Sequence, residues 1–214
     1  MAGSRQVVVR TRRGRPALLT RDQIARAAFD LVDAEGGAAL TMNRLAAELA
    51  VGAMTLYGYA ESKDEIVNML PDLLFAELPT PAPDLAAANA LEDLHLAIYR
   101  RLVGHGEVTR LIANSPAFGH ARADILESVL ARLAELGFEP TAAFELQRAL
   151  GTYTSGFAQL ALAGPGGPGR PRAQWVAELD PEAYPHTTRI ADLLATPPDE
   201  DQFLHGLRRI LASG

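Results

Sequence analysis

Apolar residues recur at helical spacing through most of the chain. The first set is Ile24, Ala27, Ala28, Leu31 and Val32, one face of a helix predicted over about 21–34. Thr20 with Gln23 three residues on forms a capping box at its start, and Gly36-Gly37 stops it. Thr41 caps a short second helix with Met42, Leu45 and Leu49 inward. After a break at Ala50-Val51-Gly52, the run AMTLYGY supplies a short third helix. Ser62 and Glu65 make a second capping box, opening a fourth helix with Ile66, Met69, Leu70, Leu73 and Leu74 on its apolar side. Pro71 falls inside that pattern, where loss of one backbone hydrogen bond predicts a kink, either a plain irregularity or a hinge.

Two short helices joined by a tight turn bury little by themselves, so their value is geometric. A helix-turn-helix lays its second helix in the DNA major groove, which is about 12 Å wide. Leu45, Ala46, Leu49, Val51 and Leu56 occupy the core positions of such a motif, with small Ala46 where the helices cross. Ala53, Met54, Thr55, Tyr57, Gly58 and Tyr59 are left outward on the third helix, where hydroxyls and small apolar groups can touch phosphates, base edges and thymine methyls. The alternative for Tyr57 and Tyr59 is that of plain core aromatics.

Beyond residue 70 the pattern stays helical but is less specific. The run LPTPAPD at 78–84 reads as a linker, and amphipathic stretches follow at about 85–104, 107–114, 119–136, 141–163, 182–195 and 199–212. The Gly/Pro-rich 164–172 segment reads as a mobile loop. No strand-like alternation stands out, so the fold class is all-α. The domains are a flexible basic arm over 1–19, a helix-turn-helix domain over 20–70, and a second helical domain over 71–214.

Charge sharpens this division. The chain has a formal net charge of -6, yet residues 1–70 hold 9 Lys and Arg against 8 Asp and Glu, while 71–214 hold 11 against 18. Arg5, Arg10, Arg12, Arg13, Arg15 and Arg21 all precede Asp22. In Arg13-Gly14-Arg15-Pro16 the Gly and Pro keep the backbone slim and extended, so flanking guanidinium groups fit a narrow A·T-rich minor groove. A solvated disordered tail is the other reading. The 214 residues are 48% hydrophobic, ample for a core, and contain no cysteine, which excludes a disulfide scaffold, a thiol nucleophile and a Cys-ligated metal. No apolar stretch is long enough to span a bilayer, and the expected location is cytoplasmic.

The run LTMNRLAAELAVGAMTLYGYAESKDEI resembles the DNA-binding domain of the TetR family of bacterial transcriptional regulators. That family's Thr, Leu-Ala, Leu, Val, Leu-Tyr and Lys recur here in order and spacing. The match departs at Ala50, where the family has a turn glycine, and at Gly58-Tyr59, where it has an aromatic-His pair. An alanine held at positive φ costs roughly 1 kcal/mol. The resemblance implies an operator-binding homodimer. Its candidate DNA contacts are Arg10, Arg12, Arg13 and Arg15 of the arm, Thr41, Asn43 and Arg44 of the second helix, and Met54, Thr55, Tyr57 and Tyr59 beyond. Lys63, beside a helix N-terminus, would meet a phosphate.

The run LESVLARLAELGFEPTAAFELQRALGTYTSGF resembles the ligand-binding and dimerisation domain of the tetracycline-repressor branch. The His and Glu that hold a magnesium complex in that branch fall at Leu111 or Ile112 and at Leu160, so no metal site and no cofactor are expected, and the effector is expected to be a small, mostly apolar molecule. Leu94, Ile98, Leu102, Phe118, Val129, Gln147, Thr154 and Phe157 are the candidate pocket lining. Leu150, Phe157, Phe203, Leu207 and Ile210 give two stripes that, paired with a second copy, make a four-helix dimer interface; packing within one chain could use the same residues.

His95, His105, His120, His186 and His205 are scattered, with no HExxH, Gly-x-Ser-x-Gly or phosphate-binding glycine loop, so no catalytic residue is assigned and no enzyme is expected. The reading is a repressor released from its operator by ligand. The alternatives are a non-specific DNA-packing protein, against which the acidic body argues, and an activator of the same fold.

Overall fold

The computed structural model describes residues 19–76, 78–79, 85–113, 119–163 and 172–212. Every regular element among them is a helix. The arm arginines Arg10, Arg12, Arg13 and Arg15, most of the 78–84 linker, Phe118 and residues 164–171 lie outside the described residues.

Helix α1 (Arg21–Glu35) begins at the expected capping box: Thr20 Oγ1 accepts from the Gln23 amide at 3.1 Å, and the Gln23 side chain accepts from the Thr20 amide at 2.9 Å. It ends at Gly36, whose φ of +82° is open to glycine. Helices α2 (Met42–Glu48) and α3 (Ala53–Tyr57) follow, the first capped by Thr41. Between them the Val51 amide donates to the Ala46 carbonyl and the Ala50 amide to that of Ala47, the paired bonds of a Schellman turn. Its left-handed residue is Ala50, at φ +52°, the position at which the sequence raised a strained alanine. Leu45, Ala46 and Leu56 are buried beneath the turn with Ile24, Ala28 and Val32 of α1.

The fourth predicted helix is two elements, α4 (Lys63–Val67) and α5 (Leu70–Phe75). Pro71 therefore sits in the first turn of α5, where its missing N–H would have had no intrahelical partner, rather than in a helix interior. The intervening Asn68 and Met69 keep right-handed helical angles while the α-helical ladder lapses, so the chain bends without turning away. The Ser62 cap forms with the Glu65 amide, but the Glu65 carboxylate turns back one residue further, to the Glu61 amide at 2.8 Å, and also pairs with Arg21. These two bonds, the Glu61 amide foremost, hold the Glu65 carboxyl below the usual carboxylate range.

The second region contains α6 (Ala87–Gly104), α7 (Gly106–Ile112), α8 (His120–Glu135), α9 (Pro140–Leu162) and α13 (Glu200–Leu211), close to the predicted stretches. Residues 182–195 do not form one helix: Pro185 opens α11 (Pro185–Thr188) and α12 (Ala191–Ala195) follows, while α10 (Arg172–Ala177) was not anticipated. Helices α10 and α12 pack chiefly on each other and leave Trp175, Tyr184, Ile190 and Leu193 exposed. The core of this region is α6 against α9, closed by α8 on one side and α13 on the other.

Leu150, Phe203 and Leu207 are fully buried inside the single chain. These three side chains are covered within one chain, the alternative the sequence left open, and so offer no surface of their own to a second copy. Phe203 stacks on Tyr99 at 4.4 Å between centroids and lies 5.6 Å from Phe157, while Ile210 is half-buried against the same core. Bidentate ion pairs from Arg100 to Glu200 and from Arg208 to Glu92 tie α13 to α6. No described helix is long and apolar enough to cross a membrane.

Candidate nucleic-acid interface and internal cavity

The outward residues of α2 and α3 form one continuous surface. Met54 is 83% exposed and Tyr57 46%, and Thr41, Asn43 and Thr55 are exposed beside them. Leu56 is fully buried, so α3 is anchored by one apolar side chain and presents the rest. The two tyrosines part ways, because Tyr59 is half-buried against the core while Tyr57 stands in solvent.

Two candidates have partners that the sequence did not reveal. Arg44 is held by Glu35 at 2.9 Å and Glu48 at 2.8 Å, so its charge is compensated within the fold and its guanidinium pKa is raised by those carboxylates. The half-buried Lys63 donates from Nζ to the Gly37 carbonyl at 2.9 Å, fastening α4 to the turn after α1. Its remaining ammonium protons are the ones left for a phosphate.

Behind this surface α5 passes from α1 to the second region and packs on both α1 and α8. Phe75, at its end, forms part of the wall of a cavity of about 180 Å³ between α5, α6, α8 and α9. The other walls are His95 and Ile98, then Arg122, Ile125, Leu126 and Val129, then Phe144, Gln147, Gly151, Thr154 and Ser155. Phe75 also borders two neighbouring clefts, one of about 200 Å³ that includes Leu94 and one of about 80 Å³ that includes Pro71 and Leu102.

Of the expected lining, Ile98, Val129, Gln147 and Thr154 face the main cavity, and Leu94 and Leu102 face the adjoining clefts. Phe157 does not line any of these spaces: its ring lies 5.9 Å from Tyr99 and 5.5 Å from Tyr153, in the aromatic cluster around Phe203. The sequence missed Phe75, His95, Arg122, Ile125 and Phe144. For Phe75 and Phe144 their place on apolar helix faces was a signal; for His95 there was none, because its partner Thr154 is 59 residues away.

His95 is only 2% exposed. Its Nδ1 lies 2.9 Å from Thr154 Oγ1, and its Nε2 is buried with no hydrogen-bond partner. Burial lowers its pKa to about 4, which keeps the ring neutral at physiological pH. Among the described residues no cluster of three or more His, Asp or Glu is placed to hold a metal ion.

A helix-turn-helix joined through one helix to a half-open, mainly apolar cavity is the architecture of a DNA-binding regulator with a sensor region. Residues 24–70 match the profile of bacterial regulatory proteins of the tetR family, and residues 80–213 that of the tetracyclin repressor-like C-terminal domain. The chain belongs to the TetR family. It is 35% identical to the HTH-type transcriptional repressor DrrR1 of Streptomyces coeruleorubidus over 134 residues, 60% of this chain and 48% of DrrR1, so it spans about half the length of that relative. It is 28% identical to the class E tetracycline repressor protein of Escherichia coli over 144 residues, 65% of this chain and 67% of that protein. The structure of ActR from Streptomyces coelicolor in complex with actinorhodin superposes with a TM-score of 0.79 at 24% identity, covering 92% of this chain and 95% of ActR, a likeness of fold.

Proposed function

We propose that the protein is a homodimeric repressor, acting in the cytoplasm, that leaves its operator when a small, largely apolar molecule enters the cavity between α5, α6, α8 and α9. The observation that carries this reading is the position of α5. The helix packs against α1 of the DNA reader while its Phe75 forms part of the cavity wall and borders both adjoining clefts. Its Asp72 accepts from the Ala121 amide at 3.2 Å, at the start of α8. A ligand that displaces Phe75 or spreads α8 from α5 acts on the helix that supports the reader. The name of DrrR1, a transcriptional repressor, supports the repressor part of this reading.

Two recognition helices of a dimer must meet major grooves whose centres are about 34 Å apart, so a modest tilt of each reader is enough to lose the site. Moving such an equilibrium from almost all DNA-competent to almost all incompetent takes about 5.5 kcal/mol of preference by the ligand. The arm arginines Arg12, Arg13 and Arg15 are assigned to the neighbouring minor groove and its phosphates. Replacing all three by Ala should weaken operator binding and flatten the slope of log K against log salt by up to about 3. The experiment begins with sequencing the genomic DNA that the purified protein retains, followed by anisotropy titration of that duplex at several salt concentrations. Equal affinity for every duplex would favour a DNA-packing role and sink the repressor reading.

A further inference from the structure

The polar atoms around His95 leave one arrangement of protons. Thr154 Oγ1 lies 2.8 Å from the Leu150 carbonyl, which can only accept, so the single hydroxyl proton is spent there. The same oxygen is 2.9 Å from His95 Nδ1, and with its proton committed it can only accept from the ring. The imidazole proton therefore sits on Nδ1. Nε2 carries a bare lone pair, and it is this atom that is buried and unpaired. An acceptor left in that condition is costly, and a ligand that supplies a donor returns that cost.

We propose that the cavity selects ligands presenting a neutral hydrogen-bond donor on an aromatic body, a phenolic hydroxyl in the simplest case, to Nε2 of His95, which the donor reaches by displacing the wall side chains that cover it. The inference rests on the cavity being the effector site. The body is set by Phe75, Ile98, Val129 and Phe144, which offer aromatic and aliphatic faces. The donor is set as neutral by the surroundings: the cavity's other ionisable lining group is Arg122, whose guanidinium lies 6.0 Å from the centre of the Phe75 ring and opposes an ammonium ion. An unpaired cation would also bear the full penalty of desolvation. A hydroxyl carries neither cost. A cavity of about 150 Å³ accommodates a single benzene ring, so the space here, with the clefts beside it, suits a body of two fused rings.

The test uses 2-naphthol, its methyl ether 2-methoxynaphthalene and naphthalene, with affinities from calorimetry on the full chain. The wild type should prefer 2-naphthol to the ether by roughly tenfold, the worth of one hydrogen bond that rescues a buried acceptor. The preference should vanish in His95→Phe and shrink in Thr154→Val, which frees the ring to place its proton on either nitrogen. Long-range proton–nitrogen NMR of the imidazole should show a proton on Nδ1 in the free protein and a shift of the Nε2 signal with 2-naphthol but not with the ether. Equal binding of all three compounds overturns the inference and leaves the cavity as an apolar effector site. A proton on Nε2 in the free protein overturns it as well. Failure of all three compounds to bind removes the cavity reading and this one together. Should His95→Phe not fold, Thr154→Val and the ring spectra decide alone.

Discussion

At the scale of single residues, His95 ties the stability of the whole chain to pH. The fold accepts its ring in the neutral form, with a pKa lowered to about 4 by burial from an ordinary value of 6.5. Below pH 6.5 the unfolded chain takes up a proton that the folded chain refuses, so stability is full above that point, falls as the pH drops toward 4, and levels off beneath it. Arg122, which lines the same cavity, is itself cationic and gives the charged ring no relief. The loss amounts to about 3 kcal/mol. Urea unfolding at pH 7 and pH 4.5 should show His95→Leu gaining about 2–3 kcal/mol on the wild type at the lower pH; parallel curves would contradict the assignment. Ala50 is a cost of a different kind, roughly 1 kcal/mol of backbone strain held in place by the buried contacts of α2 and α3 on either side.

Between elements, the joint of α5 with α8 depends on one close approach. A Cβ added at Gly119 would come within 1.9 Å of Asp72 Oδ1, the oxygen that the Ala121 amide binds. Gly119→Ala should push the carboxylate aside and loosen α5 from α8. The expected result is operator binding within a few fold of the parent and a clear change in the ligand concentration needed for release, read by anisotropy on the operator duplex. Unchanged release would show that α5 does not transmit the signal through this contact. The elements here were unevenly legible. Helices α1, α2 and α4 announce their starts through Thr20, Thr41 and Ser62, because a capping side chain is local chemistry written within four residues. The lapse at Asn68-Met69 escapes the pattern because Pro71 reads as a kink inside a continuing helix, whereas it opens a new one. Leu150, Phe203 and Leu207 stand on apolar stripes and are buried, but periodicity tells which face is buried, not whether the cover is the same chain or another. The cavity was half legible for the same reason: four of its walls were named, while His95 needed a partner on α9 that no local pattern supplies.

For the whole molecule, the burial of those three residues moves the dimer question to the outward face of α9. Ala149, Thr152, Gly156 and Leu160 are exposed there, small enough for the most part that a second helix could approach closely. A Cβ at Gly156 meets nothing within 4 Å, so Gly156→Arg should leave the monomer folded and halve the mass seen by light scattering. A dimer of unchanged mass would place the interface elsewhere. Charge is divided at this scale too, with the acidic excess confined to residues 71–214, so a molecule approaching DNA is turned reader first. Trp175, the sole tryptophan, lies on α10, which packs on α12 rather than on the cavity. The protein thereby carries one intrinsic fluorophore in a place where an effector in the cavity does not touch it. Its emission is silent toward direct contact, and any change on adding an effector is a report of rearrangement or assembly around α10 and α12, an optical channel separate from occupancy.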